Sequence, residues 1–230
     1  WNTQAKAYLA SNLKFETRTW DWVQEQSEEL ENYYWQMIEA WSGNLDRKEL
    51  ERAIGELHKR KRFGSVLGML GTAQYQKQDY SADIVFETLE GLLNHQDQIQ
   101  DTHIIQKLFT HLQNCENIDL VRLGQLEWAY IRALDPYRGG IPKTLHHNLA
   151  NDPNFFVEVL SLVYKDKNAP KKNIDKLSES EQIQIELARS LLDGWESCPC
   201  ILVSGEVDEQ ALDKYVEQVR DLSTQTGRLD

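Results

Sequence analysis

Cysteine is scarce in this sequence and unevenly placed, with three in 230 residues at Cys115, Cys198 and Cys200. So few thiols cannot form the disulfide framework that staples small secreted domains, and a reducing, cytoplasmic setting is expected. Five prolines and twelve glycines are too few for a linker-like or collagen-like chain. Positive charge is in deficit, with 25 Lys and Arg against 37 Asp and Glu and a net charge of −12. Nucleic-acid binding relies on clustered cations that neutralise phosphates, so this balance argues against a nucleic-acid partner. No apolar run approaches the length that spans a bilayer, and no basic, then apolar N-terminal stretch reads as a signal peptide, so no membrane partner is expected.

The motifs that carry common chemistry are also missing. There is no GxxxxGK[ST] or GxGxxG to cradle phosphates, no HExxH to hold zinc and no GxSxG nucleophile turn. Asp/Glu pairs are everywhere in so acidic a chain and single out no general acid or base. The expectation is a non-enzymatic region without a catalytic residue, cofactor or metal, any catalysis lying elsewhere. The chain opens on Trp1 rather than Met, and it is read as one region of a longer protein.

What the sequence does have is helical periodicity. A weak pattern over 1–13 (Ala5, Tyr8, Leu9) is followed by the most aromatic stretch, 15–41. There Trp22, Val23, Leu30, Tyr33, Tyr34, Met37, Ile38 and Trp41 recur at helical spacing, in one long helix or two short ones stopped by Gly43. Asp46 with Glu49 forms a capping-box pattern for a helix over 47–60. The next helix, 63–73, carries Phe63, Val66, Leu67 and Leu70, and its Gly64, Gly68 and Gly71 permit close helix approach at a cost in propensity. Ser81 and Asp101 read as N-caps of two further helices.

The stretch 119–165 is the most apolar and the most clearly punctuated. A stripe of Leu120, Leu123, Leu126, Tyr130, Ile131 and Leu134, with Trp128 off it, ends at a Pro/Gly joint over 135–142. A short helix over 143–150 follows. Asp152-Pro153 then starts a helix with Phe155, Phe156, Val159, Leu160 and Val163. After the Lys-rich loop 165–175 (Lys165, Lys167, Lys171, Lys172), Ser178 and Glu181 form a second capping box for a helix ending near Trp195. Asp208 caps the last helix, with Leu212, Tyr215, Val216, Val219 and Leu222, and Gly227 stops it. Ile201-Leu202-Val203 is the only β-like trio.

The fold class expected is therefore all-α, with about ten helices and short connections. Helix pairs recur roughly every 35–45 residues, the range of HEAT and tetratricopeptide units. An irregular α-solenoid is favoured, with a compact helical bundle as the alternative. Residues 1–230 read as a single helical-repeat region, divisible into 1–116 and 117–230.

Three stretches carry a resemblance: LGQLEWAYIRAL, PKTLHHNLANDPNFFVEVLSLVYK, and the distant DGW with GEVDEQALDKYVEQVRDL. Together they resemble a helical segment of large, poorly characterised bacterial multidomain proteins, some of which join helical repeats to nucleotide-binding or effector domains. The resemblance covers residues 120–222 and includes no catalytic motif. It implies a piece of a larger protein in a sensing or defence context, and a regulatory region of a nucleotide-dependent bacterial protein as the alternative function.

Several residues could form sites, each beside a plainer role. Cys198 and Cys200, separated by one proline, lack the second pair that a structural zinc site needs. His146 and His147 point about 100° apart on a helix, and His103 and His111 lie two turns apart, so neither pair suits one ion. The run His58-Lys59-Arg60-Lys61-Arg62 could meet an anionic partner, or could complement the macrodipole at a helix C-terminus. Trp20, Trp22, Tyr33, Tyr34 and Trp35 could form an interface, since Trp and Tyr dominate hot spots, or could be core. The candidate interface is thus Trp20, Trp22, Tyr33, Tyr34 and Trp35 with Lys59, Arg60, Lys61 and Arg62. Its expected partner is another protein or an adjacent domain of the same chain.

Overall fold

The computed structural model describes residues 2–11, 17–99, 101–134, 140–163, 178–193 and 207–227. Among them are twelve α-helices and two single 3-10 turns, Ser42–Asn44 and Gln96–Gln98, so the fold of the described residues is all-α. The trio Ile201, Leu202 and Val203, the pair Cys198 and Cys200, Trp195 and the lysines of 165–175 lie outside the described residues. The chain divides into two compact units, Trp1–Ile118 and Asp119–Asp230.

Unit 1 contains α1 (Asn2–Ser11), α2 (Thr17–Gln24), α3 (Glu28–Trp41), α4 (Arg47–Lys59), α5 (Phe63–Tyr75), α6 (Ala82–Leu93) and α7 (Thr102–Asn114). The aromatic stretch forms two helices because Ser27, in extended conformation, accepts a hydrogen bond from Leu30 N and opens α3. Asp46 accepts from Glu49 N at 2.8 Å while Glu49 reaches back to the Asp46 amide, closing the capping box of α4. Ser81 and Asp101 cap α6 and α7. At the end of α4 the Arg62 amide donates to Leu57 O and the Lys61 amide to His58 O, with Lys61 at φ 56. This is the Schellman closure, with lysine in the left-handed position usually given to glycine. The end of α5 repeats it, with Lys77 at φ 58.

Within this unit α1 packs on α3, α3 on α5, α4 on α5 and α6, and α5 and α6 on α7. Its core takes Trp20 and Val23 from α2, Tyr34, Trp35 and Ile38 from α3, Leu50, Ile54 and Leu57 from α4, and Met69 and Leu70 from α5. One correction concerns Trp22: the periodicity puts it in the apolar stripe, yet it is 43% exposed. Trp20 and Val23 share a face of α2, and Trp22, about 200° from Trp20, must point away.

Unit 2 contains α8 (Leu120–Ala129), α9 (Lys143–Asn151), α10 (Pro153–Val163), α11 (Glu179–Asp193) and α12 (Glu209–Thr226). Its core joins Ile131, Leu145, Leu149, Val159, Leu187 and Leu191, with Trp128 and Phe156 packed against it. The stripe differs from the sequence reading in three respects. Helix α8 ends at Ala129, short of Leu134. Leu120 in its first turn is exposed, whereas Trp128, off the stripe by spacing, is half-buried and donates to Gln184 Oε1. Helix α12 lies on α10, where Phe156 meets the Tyr215 ring edge-on at 5.6 Å and the Tyr215 hydroxyl donates to Leu149 O. Its Leu212 and Val216 remain exposed.

The caps expected from sequence recur here: Ser178 with Glu181, Asp208, and Gly227 in the left-handed region at φ 62. One further cap has no local signature. Helix α9 follows Pro142, which supplies no side-chain cap. The fully buried Glu127 of α8 accepts instead from the amides of Thr144 and Leu145, at 3.3 and 3.0 Å.

Candidate functional site

The candidate interface residues do not form one surface. Trp20, Tyr34 and Trp35 are interior side chains of unit 1; the Trp20 and Trp35 rings lie 6.1 Å apart and Tyr34 meets Trp35 edge-on. Burial pushes the Tyr34 hydroxyl up to about 12, with Trp20 and Arg60 pulling the other way. Trp22 is exposed and Tyr33 half-buried. In the basic run, Lys59 is exposed and paired with Glu56, while Arg60 is almost wholly buried and bridges Glu56 at 2.5 Å to Asp21 at 2.8 Å. Lys61 supplies the left-handed helix stop. Of the run, Arg62 is the residue that lines a concave surface.

That surface is a polar groove of about 590 Å³ in unit 1, within the range of ligand-binding clefts. One wall is α3, where Asn32, Gln36 and Glu39 stand at i, i+4 and i+7 and so share a face. The floor is the N-terminal half of α5, and the other wall is the 3-10 turn Gln96–Gln98 with the start of α7. Glycine lets the floor be approached closely. A Cβ at position 68 would fall inside the Glu39 carboxyl group, and one at position 64 would come 3.0 Å from Gln98 O. The glycine spacing seen in the sequence therefore does permit close approach, to a carboxylate on one side and to a 3-10 turn on the other.

The walls are held by hydrogen bonds that leave their inner faces open. Arg62 Nη2 donates to Asn32 Oδ1 at 2.6 Å, and its Nη1 lies 3.5 Å from Glu31, which ties the start of α5 to α3. Gln98 accepts from the Gly64 amide and donates to Lys61 O, both at 3.0 Å. It thereby caps α5, whose preceding residue Arg62 makes no side-chain cap. Asp101 is used as the cap of α7.

Glu39 is different. Among the described residues it makes no hydrogen bond or ion pair through its carboxylate, and it is half-buried against Gly68. Burial pushes its carboxyl up from the ordinary carboxylate range, because a desolvated charge has lost water without gaining a partner. Burial likewise pulls the Arg62 guanidinium down, against the opposing pull of Glu31 and Glu28. The groove thus presents three carboxylates, Glu39, Asp97 and Asp101, and one guanidinium that Glu31 already neutralises.

The histidines take other places. His58 lies 3.1 Å from Glu87 and 2.9 Å from Thr88 Oγ1, His111 stacks on Tyr80 at 4.4 Å, and His146 is buried in unit 2. No group of three or more His, Cys, Asp or Glu among the described residues is arranged to hold a metal ion. Among them, too, no helix is long and apolar enough to cross a membrane. A second, apolar trough of about 390 Å³ in unit 2 runs between Val121, Trp128, Leu145 and Phe155.

Sequence reasoning missed Asn32, Gln36, Glu39, Gln98 and Glu127. Only the glycine spacing of α5 pointed toward the groove, and it gave no sign of what approached. The chain matches no family model, no curated protein and no solved structure.

Proposed function

We propose that this chain is a non-enzymatic helical scaffold that holds a segment of a partner protein, or of an adjacent domain, in the groove over α5. The observation that carries the reading is the preformed groove itself: its walls are locked by Arg62–Asn32 and Gln98–Gly64 bonds, and the glycines of its floor let the Glu39 carboxylate and the Gln98 turn come close to α5. Preorganised walls lower the ordering cost of binding. The amide groups of Asn32 and Gln36 suit a peptide backbone, which offers both donors and acceptors. Shape and charge complementarity would be the mechanism, and any catalysis would belong to another part of the polypeptide.

In unit 1 the principal packing joins helices one or two places apart in the chain. Such packing supports stacked helix pairs, the irregular solenoid arrangement, which leaves an extended face for recognition.

Selection from a random displayed-peptide library on the full chain tests the reading. Enriched peptides should bind the wild type and lose binding when the groove is filled by Ser65→Trp or narrowed by Gln36→Arg, an exposed and helix-compatible position. Enriched peptides that bind all three proteins equally would sink it.

A further inference from the structure

Given that the groove over α5 is the binding face, as proposed above, we infer that its occupant is an extended peptide segment bearing a lysine or arginine whose cationic head pairs with Glu39. Three features of the groove point to that chemistry. The first is the state of Glu39, a carboxylate set beside Gly68 with no cation or donor against it among the described residues. Helices ordinarily satisfy such a group with an i+4 lysine or arginine. Here the residues three and four places on either side of Glu39 are Gln36, Ser42, Trp35 and Gly43, so its own helix supplies no cation.

The second is the balance of charge. Asp97 and Asp101 face the same space, and Arg62 is committed to Asn32 and Glu31. An acidic ligand would meet three carboxylates and gain one guanidinium that is already neutralised. A basic ligand would meet the half-buried Glu39, with the exposed Asp97 and Asp101 nearby, and could form a charge-assisted hydrogen bond there.

The third is reach. From Asn32 to Glu39 is seven residues of helix, about 10 Å at 1.5 Å per residue, or about three residues of extended chain. An extended segment lying along α3 would place its backbone beside the amides of Asn32 and Gln36 and the cationic side chain at Glu39. A helical ligand would span the same distance with few backbone groups free to use those amides.

The test is fluorescence polarisation on the full chain at low and high salt. The probes are labelled, end-blocked Gly/Ser/Ala peptides carrying one Lys or Arg, matched by sets carrying Glu or norleucine. Basic peptides should bind preferentially, and more weakly at high salt. Glu39→Gln should weaken them about tenfold or more, the size of a lost charge-assisted bond. Gln36→Arg, which sets a competing cation one turn before Glu39, should do the same. Asp213→Asn, an equal charge change on exposed α12, should leave affinity unchanged.

Glu39→Gln should not lower the thermal midpoint at neutral pH, so lost binding cannot be ascribed to unfolding. If basic, acidic and neutral peptides bind alike, or Glu39→Gln leaves the basic preference intact, the ligand class is wrong while the groove reading stands, provided Ser65→Trp abolishes binding. Binding by no set, or binding indifferent to Ser65→Trp and Gln36→Arg, overturns the groove itself.

Discussion

Two kinds of residue in this chain sit where local energetics alone would not put them. Lys61 and Lys77 hold left-handed backbone conformations at the ends of α4 and α5. An L side chain there costs about 1–2 kcal/mol, most of which glycine avoids. Lys61→Gly is therefore expected to raise unfolding free energy by about 0.5–1 kcal/mol in a urea titration, after allowing for the extra chain entropy of glycine. A loss of stability would mean that the lysine side chain makes up for its backbone. Glu39 is the second kind. Its folded pKa lies above the unfolded value, so its contribution to stability is full only below the ordinary carboxylate range and is lost as pH rises through the folded value. At neutral pH the ionised group opposes folding, and Glu39→Gln should hold or raise the thermal midpoint. A residue kept at the expense of stability fits a binding role, and a clear fall in the midpoint would count against that role.

At the scale of the element, helices in this chain start in two ways. Where a short polar side chain stands just before the helix, it closes the cap locally, as Asp46, Ser81 and Asp208 do. Such starts were legible in the sequence because donor and acceptor lie within three residues. Helices α5 and α9 have no such residue and are capped across space, by Gln98 at the Gly64 amide and by Glu127 at the amides of Thr144 and Leu145. Both were invisible in the sequence, since Gln98 is 34 residues from Gly64 and Glu127 is 18 from Leu145. Glu127→Ala should cost about 2–4 kcal/mol, because it strips a buried helix start of its acceptor and leaves a cavity. Asp46→Ala, at an exposed cap, should cost about 1 kcal/mol. Denaturant midpoints of the two variants would check the order, and a milder effect for Glu127→Ala would remove its claim to hold α9.

At the scale of the whole molecule, the two compact units each have their own buried core. A fragment of residues 1–118 is expected to fold alone, with a cooperative far-UV circular dichroism melt; a gradual, non-cooperative loss of signal would refute this. Acid should weaken unit 1 through two half-buried histidines, His58 and His111. Burial lowers the pKa of His58 against the pull of Glu87, and that of His111 against Asp79 and the Tyr80 backbone. In the unfolded chain both take up protons near pH 6.5, while the folded protein resists until lower pH. Their contribution is therefore present above about pH 6.5 and lost as pH falls through the depressed folded values. Thermal midpoints of a fragment carrying His58→Gln and His111→Gln should fall less steeply across that window than those of the wild type, and an unchanged slope would exclude the histidines as the cause.

What the sequence alone determined about this protein is its helical class, most helix starts and stops, and the apolar face of α5, for a physical reason. Capping and 3.6-residue periodicity act within one or two turns, and the chain writes them in adjacent residues. It also showed that α5 could be approached closely, through its glycines. Only the tertiary structure decided what approaches. It turned Trp20, Tyr34 and Trp35 inward and Trp22 outward, used the basic run to hold the α4–α5 joint, and set Asn32, Gln36 and Glu39 opposite a glycine floor. Those arrangements depend on pairs such as Arg62 and Asn32, 30 residues apart, whose meeting is fixed by helix packing and by no local pattern.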